Sequence, residues 1–227
     1  MRCAIVFLVL VPLFSIIARA QSIISIRCLD SSHYIENLES IKSIYTLNKS
    51  IDSSIELSFY TAISNLNQDL SNARIEVKYC SIGTSLNARP TIVSLLFKRK
   101  EKRKYVIRIN NKRKSDIPLF EDASFNAQVG VLGHELCHII DYSNRKFGGI
   151  LKRMFDYSTK ERKSIYEKEI DSMTICSGLG WPLYDWEMFV QNSPVATPEY
   201  KEFKREIYYT PQEIAIKIEE FDSGVNP

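Results

Sequence analysis

The spacing of apolar residues separates a mixed front half of the chain from a helical back half. Over Ser53 to Leu70, Ile55, Leu57, Phe59, Ile63 and Leu66 recur at roughly helical spacing and predict a helix. Arg74 to Cys80 alternates instead, with Ile75, Val77 and Tyr79 against Glu76 and Lys78, which predicts a half-buried strand. Thr91 to Phe97 is apolar and β-prone, and Tyr105 to Asn110 alternates again. A β-hairpin turning through the basic segment Lys98 to Lys104 is the simplest reading of that pair. Residues 21–50 show no clean period and predict no element.

From Glu121 the period becomes helical. One helix is expected over Glu121 to Asp141. A second runs from Ser158-Thr159 to Cys176, with Gly178-Leu179-Gly180 and Pro182 as its end. Thr210-Pro211-Gln212-Glu213 has the form of a capping box, with Thr210 as the cap and Glu213 reaching back, and opens a last helix over Pro211 to Glu220. Helix, small sheet, then helices is an α+β order. The expected fold is a small β-sheet or hairpin followed by a mainly helical half. No internal repeat or low-complexity linker divides residues 21–227, so they are expected to form a single domain.

The N-terminus changes where the protein is expected to work. Arg2 precedes an apolar run from Ala4 to Ile17, followed by Ala18-Arg19-Ala20. A short basic region, an apolar stretch and an A-x-A site predict a signal peptide over residues 1–20, cleaved after Ala20. The run is short for a membrane span and contains Pro12, so no stable membrane insertion is expected after cleavage. The implied location is secreted or periplasmic. In an oxidising compartment Cys28, Cys80, Cys137 and Cys176 have three possible pairings, with buried free thiols as the alternative. A net charge of +3 does not point to nucleic acid. The run Lys98 to Lys104 reads as a solvated turn, with contact to an acidic polymer or membrane surface as its alternative.

The candidate chemistry sits in Val131-Leu-Gly-His-Glu-Leu-Cys-His-Ile-Ile140. The chain has 3 histidines, and two of them, His134 and His138, are here, four residues apart. At about 100° per residue, Phe125, Val129, Leu132, Leu136, Ile139 and Ile140 share one stripe of a helix. His134 and His138 fall on the opposite face beside Ala127, Gly130 and Asp141, where the small residues permit close approach of another segment. Histidines one turn apart can each give a nitrogen to one zinc ion. Glu135 is turned away from easy ligation but within reach of a water on that metal, the place of a general base.

This stretch resembles the extended zincin metallopeptidase signature: uncharged residues between the histidines, apolar ones after, and a β-branched residue three before the first. Zinc peptidases keep three protein ligands and one open position. No histidine remains downstream; the third-histidine position of the metzincins is Asn144 here. Asp141 lies ~7.5 Å along the axis from the midpoint of the histidines, which suits a supporting role better than ligation. Glu167 and Asp171, four apart in Tyr166-Glu-Lys-Glu-Ile-Asp171, share a helix face, so one can bind metal while the other steadies a histidine.

That segment resembles the ExxxD element of the gluzincins, with Ile170 where such families often have Ala. The resemblance implies Glu167 as third zinc ligand and Asp171 as support of His134. Helical phase alone leaves Glu169 open as an alternative to Glu167. Cys137 as a fourth ligand would close the site and make it structural. Tyr157, Tyr208, Tyr209 or an arginine is left to stabilise an oxyanion. The expected protein is an exported zinc-dependent endopeptidase acting on protein or peptide substrates. Its alternative is a secreted, zinc-stabilised binding protein without activity.

Overall fold

The computed structural model describes residues 25–66, 70–113 and 116–224. The expected signal peptide and its cleavage point lie outside the described residues. A four-stranded mixed sheet forms from β1 (Lys49–Ser50), β2 (Arg74–Cys80), β3 (Leu86–Pro90) and β4 (Lys104–Asn110), in the order β1-β2-β4-β3. β2 runs parallel to β1 and β4, and β3 antiparallel to β4. Helices dominate the rest, so the fold is α+β, with a small sheet in the N-terminal part followed by a helical half.

The register explains which face of the sheet is covered. Ile75, Val77, Tyr105, Ile107, Ile109, Leu86 and Ala88 share one face and are buried. Against them pack α2 (Glu56–Ser64), after a 3-10 turn at Ser53–Ile55, and α4 (Phe125–Asn144). α2 ends earlier than its apolar spacing predicts; residues 67–69 lie outside the described residues. The opposite face carries Glu76 paired with Lys104, together with Asn87, Arg89 and Arg108. It is a sheet with one dry and one wet side, as alternation requires.

The strand expected over Thr91 to Phe97 is instead a helix, α3 (Ile92–Phe97), and the partner of β4 is Leu86–Pro90. Polar Asn87 and Arg89 and the terminal Pro90 disguise β3 in the sequence, yet an edge strand tolerates all three. Ser94 decides the helix: its hydroxyl bonds the Thr91 and Lys104 carbonyls and accepts the Lys104 N–H, fixing one helical turn against the end of β4. The basic run is not wholly a solvated turn. Arg103 is buried and donates to the Tyr142 and Arg145 carbonyls at 3.4 and 2.7 Å, closing the C-terminal end of α4.

α4 begins at Phe125, not Glu121; Phe120–Asp122 forms a separate 3-10 turn and Ser124 caps the helix by accepting from the Ala127 N–H. Its histidine face is buried as well as its apolar stripe, since α6 (Lys160–Thr174) and α7 (Gly180–Asn192) cover it. Gly130 permits this: a Cβ there would stand 2.2 Å from the Pro182 carbonyl carbon of α7.

The helix after Thr159 ends before the expected glycine break, α6 closing at Thr174 and Gly178 leaving helical φ/ψ. That glycine takes φ 83°, turning the chain inside a short π-type segment. A separate helix, α7, then starts at Gly180, and Pro182 is tolerated in its first turn, where its missing N–H costs nothing. α1 (Ser31–Tyr45), α5 (Phe147–Asp156) and α8 (Pro198–Ile207) are further elements that the apolar pattern does not reveal. α9 (Pro211–Asp222) opens with both bonds of the expected capping box.

Candidate metal centre

α4 carries His134 and His138 one turn apart, and α6 crosses it with Glu167 facing both. Glu167 Oε2 lies 3.3 Å from His134 Nε2 and 3.2 Å from His138 Nε2, and one donor atom from each residue falls within 4.8 Å of the others. All three side chains are buried. Donors about 2.0–2.1 Å from a tetrahedral metal stand about 3.3 Å apart, so the two glutamate–histidine distances match those around a first-row cation such as zinc. Two imidazole nitrogens and a carboxylate oxygen are also the ligand chemistry zinc accepts.

The far sides of both rings are held. His134 Nδ1 lies 2.8 Å from Asp171 Oδ1, and the other oxygen of Asp171 accepts the Tyr209 N–H at 3.0 Å. An ionised carboxylate only accepts, so Nδ1 carries a proton, and Nε2 is the nitrogen turned to Glu167, free to ligate a metal once it gives up its own proton. His138 Nδ1 lies 3.1 Å from the Tyr166 hydroxyl, which donates in turn to Asp141 Oδ2 at 3.3 Å. The phenol therefore accepts from His138 Nδ1–H, and again Nε2 is left as the donor toward the centre. Asp141 is anchored by Arg145 at 2.7 Å and by Arg153 at 3.4 Å. Its place is behind the site, as its axial distance from the histidines predicts.

Electrostatics follow from this packing. Burial alone would lower the His134 pKa, but the carboxylates of Asp171 and Glu167 outweigh it and raise it to about 10. Burial would raise Glu167, yet His138 and His134 hold its carboxyl well below the usual range. Glu135 is raised above the ordinary carboxylate value by burial, which its two histidine neighbours offset only in part. Glu135 Oε2 is buried with no hydrogen-bond partner. A buried carboxylate oxygen without a donor costs on the order of 1–3 kcal/mol or more, so its survival beside three convergent ligand atoms points to a bound group.

The structure separates Glu167 from Glu169. Glu169 turns outward to Arg153 at 2.5 Å, while the second oxygen of Glu167 accepts from the Tyr157 hydroxyl at 2.7 Å. Cys137 is buried and bonded toward Thr174, outside the group formed by His134, His138 and Glu167, and burial pushes its thiol pKa up to about 12. Cys28, Cys80 and Cys137 are free thiols, which leaves none of the three pairings formed. Of the three tyrosines weighed as oxyanion donors, Tyr157 is engaged by Glu167, and the Tyr209 hydroxyl sits by Ser172. Tyr208 faces the site, its ring 5.7 Å from that of His134.

Outside the centre lies a cleft of about 420 Å³ whose walls include Glu135, His138, Glu167 and Tyr208 on one side and residues 86–89 of β3 on the other. Sequence reading missed one residue that supports the centre and one buried ion pair of the surrounding core. Tyr166 counted only as part of an apolar stripe, although a tyrosine directly before the ligand glutamate was a signal. The buried pair Glu187–Lys204, 2.7 Å apart, had no signal, because its partners come from α7 and α8. No family model, curated protein or solved structure matches this chain.

Proposed function

We propose that this chain is an exported zinc-dependent metalloendopeptidase with Glu135 as general base. One observation carries the reading. His134, His138 and Glu167 turn one donor atom each toward a common point, and the unpartnered Oε2 of Glu135 is buried beside them. Zinc bound there would polarise a carbonyl and make water a nucleophile near neutral pH.

The remaining work falls to the chain. Asp171 and Tyr166 hold the imidazole protons on Nδ1 and so fix both Nε2 donors. Glu135 Oε2 takes a proton from the attacking water and returns it to the leaving nitrogen. Tyr208 stands where a phenol can donate to a developing oxyanion. β3 is the edge of the sheet. Ser85, Asn87, Arg89 and Thr91 turn their backbone toward β4, so Leu86 and Ala88 present theirs to the outer edge beside the cleft. An extended peptide can add there as a strand. Arg89, Arg108 and Lys163 line the same cleft and have no carboxylate partner among the described residues, which favours peptides with acidic side chains.

The test is zinc content together with cleavage of a peptide library by wild type and Glu135→Gln. The variant should keep its zinc and lose hydrolysis by a factor of at least ~100. Equal cleavage by both would end the peptidase reading. Stoichiometric zinc without cleavage by wild type would leave the zinc-stabilised binding protein in its place.

A further inference from the structure

α3 is amphipathic with its apolar side outward. Ile92, Val93, Leu96 and Phe97 are 69%, 67%, 56% and 77% exposed, at spacings that place them on one stripe of the helix. Ser94 is buried in four hydrogen bonds and Leu95 packs on the core, so this orientation is imposed by the fold. Directly after Phe97 come Lys98, Arg99, Lys100 and Lys102, all exposed, with Glu101 as the only acid among them. None of the four pairs with a carboxylate among the described residues. Lys100 and Arg103 reach the carbonyls of Asn144 and Arg145, where the chain enters α5. Contiguous apolar side chains this exposed are uncommon on a soluble monomer and mark an interaction surface.

We propose that residues 92–102 dock the protein on an anionic phospholipid bilayer. Ile92, Val93, Leu96 and Phe97 enter the headgroup–acyl boundary, while Lys98, Arg99, Lys100 and Lys102 meet lipid phosphates. At the Phe97–Lys98 junction exposed apolar and cationic groups adjoin without a break. A bilayer surface offers hydrocarbon and phosphate at that same separation. Each basic residue near an anionic bilayer strengthens binding roughly fivefold. The proposal stands independently of the metal centre. Because β3 leads through Pro90 and Thr91 into α3, docking would hold one end of the cleft near the membrane.

The test is co-sedimentation of the full chain with vesicles of phosphatidylcholine alone and of phosphatidylcholine with phosphatidylglycerol. Wild type should bind the anionic vesicles, and more weakly as salt is raised. Leu96→Ser with Phe97→Ser should weaken that binding at least ~tenfold. Glutamine at Lys98, Arg99, Lys100 and Lys102 should weaken it by several hundred-fold, about fivefold for each of the four. All these side chains are exposed, so both variants should keep the wild-type melting temperature. Residues 1–24 are common to wild type and variants and cancel from the comparison. Equal binding to both vesicle types, or unchanged binding by the Leu96/Phe97 variant, would overturn the proposal. So would concentration-dependent self-association abolished by that variant without vesicle binding, which would assign the stripe to contact between copies.

Discussion

Tyr208 touches two buried polar groups that solve the same problem in opposite ways. On one side Lys204 Nζ lies 3.5 Å from the Tyr208 ring centroid and 2.7 Å from Glu187 Oε1. Burial works against the ammonium, but the Glu187 carboxylate raises its pKa and keeps it charged, so cation and anion complete each other. On the other side His134, His138 and Glu167 turn donor atoms inward, and Glu135 adds an oxygen that nothing answers. A closed pair of charges is architecture. Two imidazoles and a carboxylate converging beside a buried oxygen without a partner are a group that could hold a metal ion.

The largest effects should come from removing a ligand. His138→Ala and Glu167→Ala should each lose zinc and peptide turnover together, read by metal analysis after dialysis beside a cleavage assay. Full zinc retention in either would remove that residue from the centre. Lys204→Met should act on stability instead. It strands a buried carboxylate, at a cost of about 3–5 kcal/mol in chemical denaturation, while zinc stoichiometry stays at wild type. Zinc loss without destabilisation would show that the two groups are one site. The Glu135→Gln variant belongs between these classes, with both metal and stability kept and turnover lost.

Smaller effects sharpen the contrast. Asp171→Asn keeps the shape but no longer holds the His134 proton as firmly, so zinc affinity should fall about tenfold or somewhat more, measurable by chelator competition. Glu169→Ala breaks only an exposed pair with Arg153 and should leave zinc, turnover and melting temperature near wild type. Metal loss there, with retention in Glu167→Ala, would exchange the two glutamates.

Parts of this arrangement were legible in the chain. Histidines four apart stay on one helix face wherever that helix packs, so His134 and His138 were certain to be neighbours. The alternation of β2 and β4 and the capping box at Thr210 were equally local and are present. β3 and α3 were misread because an edge strand with Asn87, Arg89 and Pro90 looks like a loop. A helix with its apolar residues outward, in turn, looks like a buried strand. α1 has no fully buried residue and leaves a correspondingly weak period.

The sequence by itself determined what depends on neighbours along the chain: the HELCH helix, the shared face of Glu167 and Asp171, the helix caps and the α+β order. Only the tertiary structure decided which carboxylate meets the histidines, because Glu167 and Glu169 stand about 200° apart on either flank of the Tyr166–Ile170–Met173 stripe, and the packing of α6 on α4 selects the flank. It also decided that Tyr166 and Asp141 support His138, that Lys204 finds Glu187, and that Cys137 faces Thr174 rather than the metal ligands. Those choices rest on how helices cross, set by the close approach of α7 at Gly130 and the turn at Gly178. Crossing geometry is a property of the whole core, and no local period encodes it.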